Sequence, residues 1–388
     1  MIARRARKLP RFQTGLEGWL SSGARGWNGA QFGVVAHAAS VHRDGAHAVE
    51  LLRERFGRGL AALFAPEHGF RGLAAAGERV EHARHSRWGI PIYSLYGEHR
   101  RPTPDMLRGL DALIFDVQDL GVRCYTYGST LRLVLEAAAE AHLPVLVADR
   151  PIPFHRAADG PILEPGLESF VGMIPGAPLV HGLTPAELAR WLCRNLAISV
   201  DLHLLPLRGS ARGPAPEPWI PPSPSIRSWA AARWYPATVF TEALPALDCD
   251  RAGPFPFQSL GAAWMDPVRV KAELGRRTGA RADPDRWTRS DGVRVAGLRL
   301  EERSAAGAAW RPVETGFRLL RAVGAAHGLD RVWRARGARP AFFDQLAGAG
   351  YARRALRGSD AAFRAALERM RRECAAFLRR AEAVRLYE

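Results

Sequence analysis

The sequence predicts an α/β protein: a Rossmann-like, mostly parallel sheet domain followed by a smaller α/β or α+β C-terminal domain. Three observations predict it. Short strands that are apolar on both faces alternate with helix-period segments through about the first 207 residues, the pattern of a parallel sheet covered by helices. A run rich in proline, glycine and serine, RGSARGPAPEPWIPPSPSIRS (208–228), then interrupts the alternation. At 388 residues the chain also exceeds what one ordinary core accommodates. The predicted division is 12–207 and 208–388.

Each element follows from its local pattern. QFGVVAH (31–37) reads as a strand, and HAVELLRERF (47–56) has helical spacing with a polar face. LAALFA (60–65) and IPIYSL (90–95) read as strands and DMLRGL (105–110) as a short helix. DALIFDV (111–117), STLRLVLEAAAEA (129–141) and LPVLVAD (143–149) continue as strand, helix and strand. In TPAELARWLCRNL (184–196), Thr184 is placed to cap, Pro185 suits the first helical position, and Glu187 stands three residues after the cap. VDLHLLPL (200–207) closes the series as a strand. Beyond the interruption, VRVAGLRLEE (293–302) reads as a strand, GFRLLRAVGAAHG (316–328) as a helix, and 361–387 as a long terminal helix or helix pair. No internal repeat is visible.

Composition narrows the function classes. Hydrophobic residues make up 47% and charged residues 24%, the balance of a water-soluble globular chain. The formal charge of +16 attracts polyanions at long range. Yet the arginines are scattered among alanines, and no zinc-finger spacing, RNP run or basic zipper accompanies them, so no specific nucleic-acid role is expected. No apolar run reaches the roughly 18 residues of a membrane span. The four cysteines (124, 193, 249, 374) are dispersed without a CxxC pair and read as reduced thiols. The basic start MIARRARKLPRFQTG lacks a following apolar segment, and a cytoplasmic location is the expectation. Neither GxGxxG nor a Walker A motif is present, so no nucleotide cofactor is expected.

Candidate chemistry concentrates at strand ends, where open parallel sheets bind ligands. LAALFA runs into Pro66, Glu67 and His68, and glycines follow at 69 and 72. DALIFDV contains Asp116 and runs into Gln118 and Asp119, and LPVLVA runs into Asp149 and Arg150. Paired carboxyl groups suit glycoside hydrolysis, in which one protonated acid donates to the leaving oxygen and a second group completes displacement at the sugar carbon. Burial beside Phe64 and Phe70 would favour the protonated form of Glu67 that such an acid needs. YSLYGEH (93–99) and RCYTYGST (123–130) supply Tyr93, Tyr96, Tyr125 and Tyr127, rings able to stack on sugars or to pack in the core. The rival is metal chemistry on Glu67, His68, Asp116, Asp119 and His181, although no two histidines stand at helical ligand spacing beside a glutamate. A Ser-His-Asp hydrolase is disfavoured because no GxSxG follows a strand.

The motifs FAPEHGFRG (64–72), IPIYSLYG (90–97), DALIFDVQDLGVRCYTYGSTL (111–131), ADRP (148–151), SFVGMIP (169–175) and HGLTPAELA (181–189) occur in this order. PPSPSI (221–226), WYPATVF (234–240) and FPFQSLGAAWMD (255–266) follow them. Together they resemble the exo-β-N-acetylmuramidase family of NamZ-type glycoside hydrolases. The resemblance implies an active site in a cleft between the two domains and a peptidoglycan-derived muramyl saccharide as substrate. It also implies Glu67 as catalytic acid; the partner group stays open, with Asp116 or Asp119 able to activate water or stabilise positive charge and Glu242 able to do so from the second domain. His68, Gln118, Arg123, Tyr125, Asp149, Arg150 and His181 occupy corresponding motif positions, and Arg251 falls on a motif arginine. With Tyr96 from its aromatic stretch, and Glu242, which matches a family glutamate only with a shift in alignment, they are the substrate-binding candidates. Arg123 or Arg150 is the expected partner of the muramic acid lactyl carboxylate, through a fixed guanidinium fork.

The sequence also departs from the family pattern. Ile152 replaces the asparagine expected after DRP, and AHAAS (36–40) replaces a threonine-asparagine pair. TEALPALDCDRAGP (241–254) replaces a glutamate-rich stretch, with Arg251 on its arginine and Cys249 where a glutamate would stand. The readings in competition with a catalytic muramidase are a non-catalytic carbohydrate-binding relative and a metal-dependent hydrolase.

Overall fold

The structure is a computed structural model that describes residues 13–209, 219–275, 279–303 and 310–387. The basic N-terminal dozen and residues 210–218 of the proline-rich interruption lie outside the described residues.

The first half contains, in chain order, α1 (Gly15–Ser21), β1 (Phe32–Ala36), α2 (Ala48–Phe56), β2 (Leu60–Ala65), β3 (Ala83–Arg84), β4 (Pro91–Ser94) and α3 (Pro104–Leu107). There follow β5 (Ala112–Asp116), α4 (Tyr127–Glu140), β6 (Val145–Ala148), β7 (Asp159–Ile162), β8 (Pro178–Val180), α5 (Pro185–Leu196) and β9 (Leu202–Leu205). One seven-stranded sheet takes the order β3-β4-β2-β1-β5-β6-β9. All its pairings are parallel except that of the short edge strand β3 with β4. Counting only parallel strands in chain order, the arrangement is 3-2-1-4-5-6, the doubly wound order, with its topological switch between β1 and β5.

Alternating side chains put apolar groups on both faces. Phe32, Val34 and Ala36 of β1 join Ala112 and Ile114 of β5 under α1 and α2. Val35, Leu113, Phe115, Val145 and Val147 point the other way, to the core shared with Leu131 and Val134 of α4 and Trp191 of α5. The predicted start of α5 is realised: Thr184 and Glu187 form a reciprocal capping box with Pro185 in the first turn.

The second half contains α6 (Trp229–Thr238), β10 (Ser259–Ala262), α7 (Pro267–Leu274), β11 (Ala280–Thr288), β12 (Arg294–Glu302) and α8 (Pro312–His327). Helices α9 (Asp330–Trp333), α10 (Pro340–Ala347), α11 (Gly350–Arg357) and α12 (Asp360–Ala381) complete it. Its antiparallel sheet has the order β10-β12-β11. Sequence pattern did not reveal β11, whose ADPD run lacks alternation, or α6, which carries Pro236 internally. The ribbon β7–β8 was likewise unforeseen.

The halves share one apolar core, in which Tyr127, Leu179 and Ile226 are continuous with Phe240, Phe317 and Phe343. Polar ties reinforce it. Tyr387, near the chain terminus, donates to Asp149 at 2.5 Å, and Arg385 pairs with Glu187 at 2.8 Å.

Candidate active site

β2 ends where Pro66, which has no N–H, stops the ladder. The Gly69 N–H donates to the Pro66 carbonyl at 3.0 Å, closing a turn through Glu67 and His68. His68 itself has φ +71°, and Gly69 (φ +74°) and Gly72 (φ +67°) continue the left-handed path. A side chain on Gly72 would meet the Ala38 Cβ at 3.0 Å, so the glycines serve the tight fold of the loop.

The turn delivers Glu67 to a cavity of about 680 Å³ lying between the two halves of the chain. Its Oε2 accepts from the Thr126 hydroxyl at 2.6 Å and its Oε1 from the Gly77 N–H at 2.9 Å. Thr126 immediately precedes α4, so two sequence-distant loops fix the carboxyl plane. Glu67 is only 7% exposed, and that small opening faces the cavity. Tyr96 lines the same cavity as Glu67. Desolvation, followed by the charge of Glu67, pushes that phenol up to about 12. It therefore stays a protonated donor. His68 also lines the cavity, and its Nδ1 lies 2.7 Å from the Ala74 carbonyl. A carbonyl only accepts, so Nδ1 carries the proton and Nε2 is the ring's acceptor.

The opposite wall comes from the second half. Glu242 and Arg251 form an ion pair on the cavity surface, and Arg251 lies over the Phe257 ring at 5.4 Å. Tyr125, Tyr235 and Phe342 add aromatic surface. Of the four tyrosines singled out in the sequence, Tyr96 and Tyr125 line the cavity. Tyr93 packs against Phe64 at 5.5 Å, and the Tyr127 hydroxyl donates to the Pro222 carbonyl at 2.6 Å. Phe70, expected beside Glu67, packs instead against His47 at 5.4 Å.

Thus Glu67, His68, Tyr96, Tyr125, Glu242 and Arg251 are brought together. The other sequence candidates lie outside the cavity lining, each engaged with protein groups. Arg150 grips both oxygens of Asp116, at 2.6 and 2.9 Å, and also donates to the Ala39 and Val41 carbonyls. Although desolvation opposes ionisation there, the Arg150 charge and hydrogen bonds hold the Asp116 carboxyl below its ordinary range. Asp119 accepts from the N–H groups of Leu120 and Gly121, at 2.5 and 2.8 Å, while burial pushes it up to about 6. The Gln118 side chain donates to the carbonyls of Asp119 and Pro151. Asp149 accepts from Thr184, Ala186 and Tyr387, and burial raises it to about 7. His181 accepts from the Leu183 N–H at 3.2 Å, and burial lowers it to about 3. Arg123, fully buried, donates to the Leu346 and Ala347 carbonyls at the end of α10.

The switch point between β1 and β5 is filled by protein. The Gln118 N–H donates to His37 Nε2 at 3.0 Å, and Ser40 donates to the Asp116 carbonyl at 2.5 Å. The cavity opens instead one strand over, at the end of β2. Among the described residues no group of three or more His, Cys, Asp and Glu side chains is placed to hold a metal ion. Sequence reasoning missed Thr126, Arg100, Phe170, Tyr235 and Phe342 in this site. Thr126 lies inside the quoted CYTYGST stretch, whereas nothing in the local pattern marks Phe342.

A doubly wound sheet followed by a helical and antiparallel-sheet half, with a carboxyl-bearing, aromatic-walled cavity between them, defines the class as an α/β protein. The N-terminal model of exo-β-N-acetylmuramidase NamZ matches residues 32–230, and the C-terminal model matches 233–387. The chain belongs to this NamZ family. It is 33% identical over 359 residues to the peptidoglycan β-N-acetylmuramidase NamZ of Bacillus subtilis (strain 168), covering 89% of this chain and 84% of that protein. Two crystal structures of DUF1343 family proteins from Bacteroides fragilis NCTC 9343 share the architecture. One has a TM-score of 0.86 at 28% identity, covering 98% of this chain and 100% of that one. The other has a TM-score of 0.72 at 25% identity, covering 98% and 99%.

Proposed function

We propose that this protein is an exo-acting glycoside hydrolase that removes terminal β-linked N-acetylmuramic acid from peptidoglycan fragments. The carrying observation is that Glu67 projects into the interlobe cavity with its carboxyl oriented by Thr126 and the Gly77 N–H. In this reading Glu67 donates its proton to the glycosidic oxygen as the bond to the sugar carbon breaks, a water molecule forms the new bond to that carbon, and the proton that water releases restores the acid. Tyr96 keeps its hydroxyl protonated and orients the acid. His68 Nε2 accepts from a sugar hydroxyl, and the rings of Tyr125 and Tyr235 support the apolar face of the sugar. Glu242, on the facing wall, is the second carboxylate within the cavity, suited to stabilising the positive charge that develops at the sugar carbon. Asp116 and Asp119 are assigned to holding the strand-end loops, because their oxygens are engaged by Arg150 and by backbone N–H groups.

The test is turnover of an aryl β-N-acetylmuramide by wild type and Glu67→Gln, with folding verified by circular dichroism. The amide keeps the shape but lacks the transferable proton, so turnover should fall about 100-fold or more. A folded variant that retains wild-type turnover would remove Glu67 from the chemistry. Ligand binding without turnover by wild type would support a sugar-binding relative instead.

A further inference from the structure

Three arginines line the cavity, and they differ in what already engages them. Arg251 is paired with Glu242. Arg339 donates to the Glu242 carbonyl at 2.5 Å and lies over Phe342 at 4.4 Å. Arg100 has no carboxylate or carbonyl partner among the described residues. Its Cζ sits 4.6 Å from the Phe170 ring centroid and 5.4 Å from that of Tyr96. Those two rings are themselves 5.4 Å apart and tilted by 51°. Arg100 is exposed at the cavity rim, and the aromatic pair carries its guanidinium over two π faces, which narrows its freedom while leaving its N–H donors without a protein acceptor among the described residues. Such a group is pre-organised for a carboxylate, and binding it costs little further ordering.

Its place relative to Glu67 matters as well. Tyr96 lines the cavity with Glu67, whose charge acts on its phenol, and carries Arg100 on its ring, so one tyrosine ring stands between the acid and the guanidinium. A pyranose presents a comparable separation between the oxygen on its anomeric carbon and an ether substituent on the far side of the ring. The two arginines expected from sequence to read a substrate carboxylate are committed elsewhere, Arg150 to Asp116 and Arg123 to the end of α10.

We propose that Arg100, held on the Tyr96–Phe170 shelf, is the specificity-determining residue that recognises the carboxylate of the sugar's lactyl ether and so selects the acidic saccharide over its neutral counterpart. This rests on the glycosidase reading for its substrate class, but it makes a claim about binding that can be tested without turnover.

The experiment measures binding of N-acetylmuramic acid and of N-acetylglucosamine by calorimetry to wild type, Glu67→Gln, Arg100→Leu and Arg100→Lys. Wild type and Glu67→Gln should bind the acidic sugar at least about tenfold more tightly than the neutral one, the scale of one charge-assisted pair. Arg100→Leu should erase that preference while leaving the weak affinity for the neutral sugar unchanged, and Arg100→Lys should restore part of it. In parallel, kcat and KM are read on the aryl β-N-acetylmuramide and its lactyl methyl ester. The loss in Arg100→Leu should fall on KM and on the free acid, not on the ester. A folded Arg100→Leu protein that keeps the acidic preference overturns the proposal, as does a wild type with no such preference. An Arg100-dependent preference in a protein that hydrolyses neither substrate upholds the proposal while the glycosidase reading falls.

Discussion

Asp116→Asn separates a catalytic from a structural role for a carboxylate that the sequence nominates for both. In the structure Asp116 and Arg150 form a two-point ion pair with no exposure at the aspartate and almost none at the arginine. The amide would offer one acceptor and one donor group to a guanidinium that only donates. Arg150 would keep its bonds to the Ala39 and Val41 carbonyls but lose its counter-charge. Breaking one partner of a buried pair costs about 3–5 kcal/mol, because the remaining charge stays buried. Removing both, in Asp116→Leu with Arg150→Met, should cost less than the two single losses together, although the two loop carbonyls would then be orphaned.

The assay is urea denaturation followed by tryptophan fluorescence across pH. Asp116 has a lowered folded pKa, so its contribution is present above the unfolded value near 3.8 and is lost as pH falls through the lower folded value. Asp119 and Asp149 have the opposite sign. Their folded values are raised to about 6 and about 7, so their favourable contribution is present below 3.8 and is lost as pH rises through those values. The raw pH profile is therefore composite, and the diagnostic quantity is the difference between wild type and Asp116→Asn. That gap should stay large at neutral pH and close in strong acid. A variant of wild-type stability that has lost turnover would refute the structural assignment and return Asp116 to the chemistry.

Three further outcomes are expected. Thr126→Val removes the 2.6 Å donor to Glu67 and should lower kcat/KM on the aryl muramide about tenfold, with a nearly unchanged denaturation midpoint. Gly348→Ala should destabilise by about 2 kcal/mol in the same urea assay, because φ is +80° and the new Cβ would sit 2.2 Å from Arg123 Nη2. Dialysis against a chelator should leave hydrolysis unchanged, since the proposed proton donor is a protein carboxyl group. Activity lost on dialysis and regained with a single metal would favour the metal-dependent alternative.

The fold was legible because its signals are local. LAALFA is β2 to the residue, and the capping box at Thr184 marks the start of α5. The doubly wound order follows once six parallel strands are joined by covering helices. The second half was less readable because its elements break local rules: α6 tolerates Pro236, and β11 carries Pro284 on an edge strand. The site was legible in part for a different reason. A carboxylate at a strand end has the same sequence signature whether it meets a substrate or a protein donor. One donor that reaches Asp149 comes from Tyr387, 238 residues away, and the one that grips Asp116 comes from Arg150, just past the end of the neighbouring strand β6. Glu67 differs only because its loop turns away from the sheet toward the second lobe, and that turn depends on left-handed geometry at His68 and Gly69.

The altered stretch 241–254 acquires a physical meaning from the same comparison. Cys249 stands where the family pattern has a glutamate, yet its thiol is buried and accepts from the Thr241 hydroxyl at 3.3 Å. Burial pushes that thiol up to about 11, so it is neutral at physiological pH and supplies no charge to the cavity wall. Glu242, seven residues earlier in the chain, reaches the cavity from the turn after α6 and is held there by Arg251. The stretch 241–254 therefore gives the wall one carboxylate, Glu242, and one guanidinium, Arg251, while losing the glutamate that the family pattern places at 249. A single facing carboxylate can stabilise charge at the sugar carbon, but its pairing with Arg251 tempers its strength as a nucleophile. In the proposed mechanism Glu242 then has an electrostatic role, and turnover depends chiefly on proton donation rather than on covalent capture.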